Sequence, residues 1–129
     1  MIDHLCLSVS DFARSKAFYE AALSAIGYRL MREVDNSIAG FGVPPKPDFW
    51  LRVSSSNISP THMAFGVDSR EQVDAFYAAA IAAGGRDNGK PGLRPQYHPD
   101  YYGAFVFDPD GHNIEAVCHR SSDSFGEGK

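Results

Sequence analysis

Two stretches of this chain are near-copies of one another. Shifted by 58 residues, His4 falls on His62, Val9 on Val67 and Ala17 on Ala75. Phe18–Tyr19 falls on Phe76–Tyr77, Ala21, Ala22 and Ala25 on Ala79, Ala80 and Ala83, and Gly27 on Gly85. That makes nine identities without a gap. Four are alanines, which an Ala-rich chain supplies by chance; the histidine, the Phe-Tyr pair and the glycine are not so easily matched. An internal duplication restricts the fold to two copies of one supersecondary unit. In 129 residues that means one domain, or two half-size modules sharing one core.

Each copy opens on a strand pattern. In Asp3–Val9, Leu5, Leu7 and Val9 alternate with His4, Cys6 and Ser8. In Thr61–Val67, Met63, Phe65 and Val67 alternate with His62, Ala64 and Gly66. Period-2 alternation predicts a strand with one buried face, and a histidine heads the less apolar face of both. A helix follows each. The first is capped by Asp11 and runs to about Ala25, with Gly27 as its C′ residue. The second opens with a capping box, Ser69 and Gln72, and ends near Gly84–Gly85. Tyr28–Val34, Ile38–Val43 and Phe49–Val53 read as strands, and Ser54–Pro60 as a polar linker between modules of about 1–53 and 61–119. Asp87–Tyr102, rich in Gly, Pro and Tyr, reads largely as a loop with one short strand. Gly103–Phe107 and Asn113–Val117 are strands joined by the turn Asp108-Pro109-Asp110-Gly111. The tail, 120–129, has little to bury and is expected to be poorly ordered.

Composition narrows the partners. A formal charge of −4 argues against nucleic acid. No apolar run is long enough to span a bilayer, and a strand at the very start of the sequence leaves no room for a signal peptide. Cys6 and Cys118 make no disulfide framework; free thiols in an acidic chain predict a reducing compartment, the cytoplasm.

The histidine before the first strand, the Phe18–Tyr19 helix, THMAFGV and DPDGHNIEAV together resemble the vicinal oxygen chelate superfamily: the glyoxalase, bleomycin-resistance and extradiol-dioxygenase group. The resemblance covers the chain to about His119. It implies an α+β fold of two βαβββ modules, with curved mixed sheets around a cavity. It also implies a divalent metal ion (Fe, Mn, Ni, Co or Zn) held by His4, His62 and Glu115. The residues agree with that trio. His4 and His62 are equivalent in the duplication, and a carboxylate on a central strand is costly unless something pairs it. Two imidazoles and one carboxylate hold a cation and leave positions open for substrate. Read singly, each histidine is better taken as a hydrogen-bonded core residue and Glu115 as a surface or salt-bridged one; the three together favour a metal.

Aligning FWLRV with NIEAV sets Leu51 against Glu115, where a glyoxalase I carries a second carboxylate that moves a proton; that activity is therefore disfavoured. The remaining set resembles extradiol dioxygenases with Fe(II) and fosfomycin-resistance thiol transferases with Mn(II). Cys6 shares the face of His4, as a small buried residue or a reactive thiol. Tyr97, His98, Tyr101 and Tyr102 form an aromatic loop suited to covering the cavity, and Tyr102 and His98 join Glu115 as the candidate catalytic groups. His112, after a turn, is expected to be exposed; Trp50 and Arg52, on one row of their strand, could bind an anionic group, but an Arg52 tip reaching solvent is the favoured reading. Function then divides into two expectations. One is a metal-dependent enzyme, lyase-, isomerase-, dioxygenase- or thiol-transferase-like, acting on a small oxygenated molecule. The other is a metal-free binding protein of the bleomycin-resistance type. With modules set edge to edge, a homodimer would complete two cavities by two-fold symmetry.

Overall fold

The computed structural model describes residues 1–121. Its order is β1 (Leu5–Val9), α1 (Phe12–Ser24), β2 (Arg29–Val34), β3 (Ile38–Val43), β4 (Lys46–Val53), β5 (His62–Gly66), α2 (Arg70–Ala82), β6 (Arg86–Leu93), β7 (Tyr102–Phe107) and β8 (Asn113–Cys118). Each half is a βαβββ unit with its own four-stranded mixed sheet, ordered β1-β4-β3-β2 and β5-β8-β7-β6. In both, the strand before the helix pairs in parallel with the last strand. The duplication in the sequence is thus a duplication of topology. The described part of the tail stops at Ser121, and the expectation about 122–129 lies outside the described residues.

The helices form for reasons written in their ends and faces. The Asp11 carboxylate accepts from the Arg14 amide at 3.1 Å. Ser69 and Gln72 close the reciprocal capping box. The α1 stripe, Phe12, Ser15, Phe18–Tyr19 and Ala22–Leu23, is buried as its 3.6-residue spacing dictates. Gly27 and Gly84 leave the two helices at φ +90° and +100°, a conformation that glycine adopts freely. The second helix ends where the 58-residue shift places it, at Ala82, but its positive-φ glycine comes one residue earlier than the counterpart of Gly27.

The modules meet through their helix-bearing sides. Phe65 of β5 stacks edge-on against Tyr28 and Phe49 of the first module, centroids 5.5 and 5.4 Å away. A Cβ on Gly85 would sit 2.4 Å from Val106 and 2.8 Å from Phe18, so its missing side chain lets α2's exit approach α1. Phe65, from the apolar row of β5, thus packs on the first module. The two modules share no sheet: among the described residues β1 and β5 are the end strands of separate sheets.

Two expectations need correcting. The strand within Asp87–Tyr102 is longer than expected: β6 runs for eight residues, and the loop is confined to 94–101. The strand lies at a sheet edge, where Pro91 needs no ladder partner and Gly89, at φ +151°, takes up a bulge. His112 is 1% exposed. Its Nδ1 accepts from the Thr61 amide and its Nε2–H donates to the Ser8 carbonyl, both at 2.9 Å, so it ties the start of β5 to the end of β1. The same turn sends Asp110 to the Ser10 amide and hydroxyl, and Asp108 to the Tyr19 hydroxyl at 2.5 Å. DPDGH is therefore a joint between the modules as well as a turn. Among the described residues no helix is long and apolar enough to cross a membrane.

Candidate functional site

The side of each sheet away from the helices carries the polar residues. In β8, Ile114, Ala116 and Cys118 face the core, which puts Glu115 on the opposite face. Its neighbours in register are Ala64 on β5 and Phe105 on β7. The carboxylate is 1% exposed. Space for it exists because Gly103 has no side chain: a Cβ there would come 3.2 Å from Oε2.

Two groups face this buried carboxylate. The Tyr101 hydroxyl donates to Oε2. His62 Nε2 lies 3.2 Å from Oε1. His62 Nδ1 is 3.0 Å from the carbonyl oxygen of Asn113. A carbonyl only accepts, so Nδ1 carries the hydrogen and Nε2 of a neutral ring presents a lone pair to the carboxylate. Two acceptors at that separation require a cation between or upon them, a proton or a metal ion. His62 also stacks on Phe105, and Arg94 lies over the other reaches of that ring, 5.4 Å from its centroid. Carbonyls of Gly92 and Lys90 hold the Arg94 guanidinium in place.

Burial pushes the Glu115 carboxyl above its ordinary range, and Tyr101, His62, Arg94 and His119 pull back against that rise. Burial and the carboxylate raise the Tyr101 hydroxyl in turn. Tyrosine thus stays protonated and acts as a donor. An acid whose folded pKa is raised keeps its proton where the unfolded chain has lost it, so stability falls as pH climbs through that window. Tyr101→Phe removes one downward influence. In chelator, its melting temperature should keep falling with pH to higher values than that of the wild type. A window that stays put or narrows would show that the hydroxyl does not tune Glu115.

The cavity around this pair is lined by His62, Tyr97, Tyr101, Phe105 and Glu115 and measures about 390 Å³. Of the expected loop residues, Tyr101 reaches the carboxylate. Tyr102 turns away, its hydroxyl donating to Asp74 at 2.7 Å. Successive strand residues face opposite sides, so only one of the tyrosines can point inward. His98 takes a bond from the Asp100 amide and packs edge-on against His119, which in turn packs against Tyr101. Phe105 and Arg94 were not singled out from the sequence; Phe105 is readable there only once β7 is set against Glu115, and Arg94 only once β6 is known as a strand.

His4 lies elsewhere, exposed just before β1, in a cavity of about 660 Å³ whose walls include Asp3, Cys6, Trp50 and Arg52. Its Nδ1 is 2.6 Å from Asp3, whose carboxylate also holds Lys46 Nζ at 2.8 Å. Lys46 and then His4 hold the Asp3 carboxyl below its usual range. His4 and His62 are thus both engaged through Nδ1, and Nε2 of His62 faces Glu115. They are not gathered together: among the described residues no group of three or more His, Cys, Asp or Glu side chains forms a metal cage.

Register corrects one alignment. Cys6 pairs with Trp50 and Leu7 with Leu51, while Ala64 pairs with Glu115 and Phe65 with Ala116. With His4 equivalent to His62, the counterpart of Glu115 is Trp50, and Leu51 corresponds to Ala116 in the core. The first module still lacks a carboxylate at that place.

Residues 1–116 match the Glyoxalase/Bleomycin resistance protein/Dioxygenase superfamily, and the chain belongs to it. The fold agrees. A glyoxalase/bleomycin resistance protein from Albidiferax ferrireducens is 30% identical, with TM-score 0.78 over 90% of this chain and 97% of that one. A family enzyme from Burkholderia phytofirmans superposes at TM-score 0.69, 19% identity, over 92% and 98% of the two chains. A lactoylglutathione lyase from Agrobacterium tumefaciens does so at 0.67, 17% identity, over 92% of each. At those identities the last two speak for the fold alone. No curated protein matches the sequence.

Proposed function

We propose that this protein is a metal-dependent enzyme acting on a small oxygenated substrate, built as a homodimer. His62 and Glu115 of one chain and His4 of a second copy would hold the ion. The observation that carries the reading is the His62–Glu115 pair. An imidazole lone pair, fixed by a backbone carbonyl behind it, faces a buried carboxylate at 3.2 Å. That is the arrangement of a metal-ligating histidine with its outer partner. His4, engaged through Nδ1 by Asp3, has the same form on the first module. His62 and Glu115 supply two of the three donors of a facial N,N,O set, and the exposed face bearing His4 supplies the third when a second chain closes over it.

A bound divalent ion would polarise the substrate oxygens as a Lewis acid. The chain's own groups define the rest. Glu115, raised by burial, is a stronger base than an exposed carboxylate and can take a proton from a substrate carbon or oxygen. Tyr101 orients it and keeps one of its oxygens engaged. Phe105 and Tyr97 give the cavity apolar walls. Glyoxalase I-type isomerisation is disfavoured, because Trp50 stands where the second carboxylate would be. Location in the cytoplasm accords with the free thiols of Cys6 and Cys118.

The test is metal retention. Chelator-treated protein, loaded in turn with Fe, Mn, Ni, Co and Zn and then desalted, should keep close to one ion per chain with at least one of them. Retention of none would replace this reading with that of a metal-free binding protein.

A further inference from the structure

The cavity of the first module contains a built surface that the metal reading does not use. Trp50 is the chain's single tryptophan. It stands mid-sheet, between Cys6 on β1 and Gly40 on β3. A Cβ on Gly40 would lie 2.7–2.9 Å from three carbons of the indole's six-membered ring. The indole therefore lies flat on the sheet where a glycine admits it. Its half-buried outer face forms the floor of the cavity, with Ile38 and Pro47 as further apolar walls.

One row along, Arg52 pairs with Ser8 and Ile38 and also lines the cavity. Its guanidinium has no ion pair among the described residues. Lys16, Lys46, Arg70 and Arg120 each face a carboxylate, and Arg94 is held by carbonyls. Within the cavity Lys46 is balanced by Asp3, so the uncompensated charge is that of Arg52. Same-face residues on a strand stand ~7 Å apart. That is the reach of a ring carrying a carboxylate directly or through one carbon.

We propose that this cavity binds a planar aromatic or unsaturated carboxylate, its ring stacked on Trp50 and its carboxylate held by Arg52. Indole faces attract flat π-systems by offset stacking. A guanidinium offers a carboxylate two parallel hydrogen bonds. The inference rests on the preceding section for the claim that a substrate enters here, since Trp50 occupies the place of Glu115 in the other module and so borders the metal position. It names the substrate class of that site.

The test uses metal-free dimeric or monomeric protein as purified, with benzoate and its neutral analogue benzamide as probes. Trp50 fluorescence reports binding without a label, and calorimetry serves for variants that lack the indole. Benzoate should bind at least about tenfold more tightly than benzamide, the scale of one charge-assisted contact. Arg52→Gln, at an exposed position, should bring benzoate down to the benzamide level and leave benzamide unchanged. Trp50→Leu should weaken both. Absence of saturable benzoate binding, equal binding of the two probes, or benzoate affinity unaffected by Arg52→Gln would overturn the proposal. Metal retention, measured on the same Arg52→Gln protein, should equal that of the wild type. Benzoate results therefore fail or succeed independently of the metal reading.

Discussion

Glu115→Ala should lower divalent metal retention by about 100-fold, while the protein stays folded. Removing even an outer partner of a ligand typically weakens a site by about 10–100-fold, and Glu115 would be a ligand itself. The fold should survive because the carboxylate is a burden in the absence of a cation. It is 1% exposed and its pKa is pushed up by burial. Truncating one member of a buried ion pair is costly where the other stays buried and unpaired, but the His62 side chain is 52% exposed and turns to water. Tyr101, partly exposed, regains a partner from water. The melting temperature of the metal-free variant at neutral pH should therefore equal or exceed that of the wild type. The increment that metal adds to the wild type should vanish, since a ligand stabilises only the state that binds it. Equal retention by wild type and variant, measured by elemental analysis after desalting, would remove Glu115 from the ligand set.

Asp108→Ala should act in the opposite sense, on the fold and not the cavity. Asp108 is 3% exposed and accepts from three donors: the Tyr19 hydroxyl at 2.5 Å, the Asp110 amide at 2.9 Å and the His112 amide at 2.8 Å. Tyr19 is fully buried, and its hydroxyl, raised by burial and by Asp108, has no water to turn to. Truncating the shared acceptor orphans all three donors and loosens the joint that His112 and Asp110 make with β1. Leaving a buried charged-group partner unpaired costs about 3–5 kcal/mol. A domain of this size has about 5–15 kcal/mol in total. Denaturant unfolding should show most of the stability gone. Asp108→Asn, which keeps one accepting oxygen, should lose less. A loss under about 1 kcal/mol for the alanine variant would mean that the modules are held by Phe65, Phe49 and the helices alone.

The duplication, both helices and seven of the eight strands were legible because alternation, caps and turn residues agreed at each place. β6 was legible only as one short strand, since Gly89, Pro91 and Gly92 read as breakers. They are tolerated only at an edge, and edge position is a property of the assembled sheet. His112 was misjudged for a related reason. A residue after a turn looks exposed until the turn is seen wedged between modules, where both ring nitrogens find backbone partners. Glu115 and His62 could be picked out from pattern, and their closeness follows from parallel pairing of β5 with β8. Tyr101 rather than Tyr102 could not, because the choice turns on where β7 begins. Trp50 as the counterpart of Glu115 needed the register of β1 with β4; an ungapped comparison of FWLRV with NIEAV is off by one residue.

The central claim is that each metal site takes His4 from one copy and His62 with Glu115 from another. Mixing tests it most directly. His4→Ala and Glu115→Ala chains, each deficient alone, are unfolded together, refolded and separated as a verified heterodimer. One of its two sites then has all three ligands and the other lacks two. Metal content should recover to about one ion per dimer, half that of the wild type. A wild-type chain that sediments as a monomer, or a verified heterodimer that recovers no metal, would contradict the shared site.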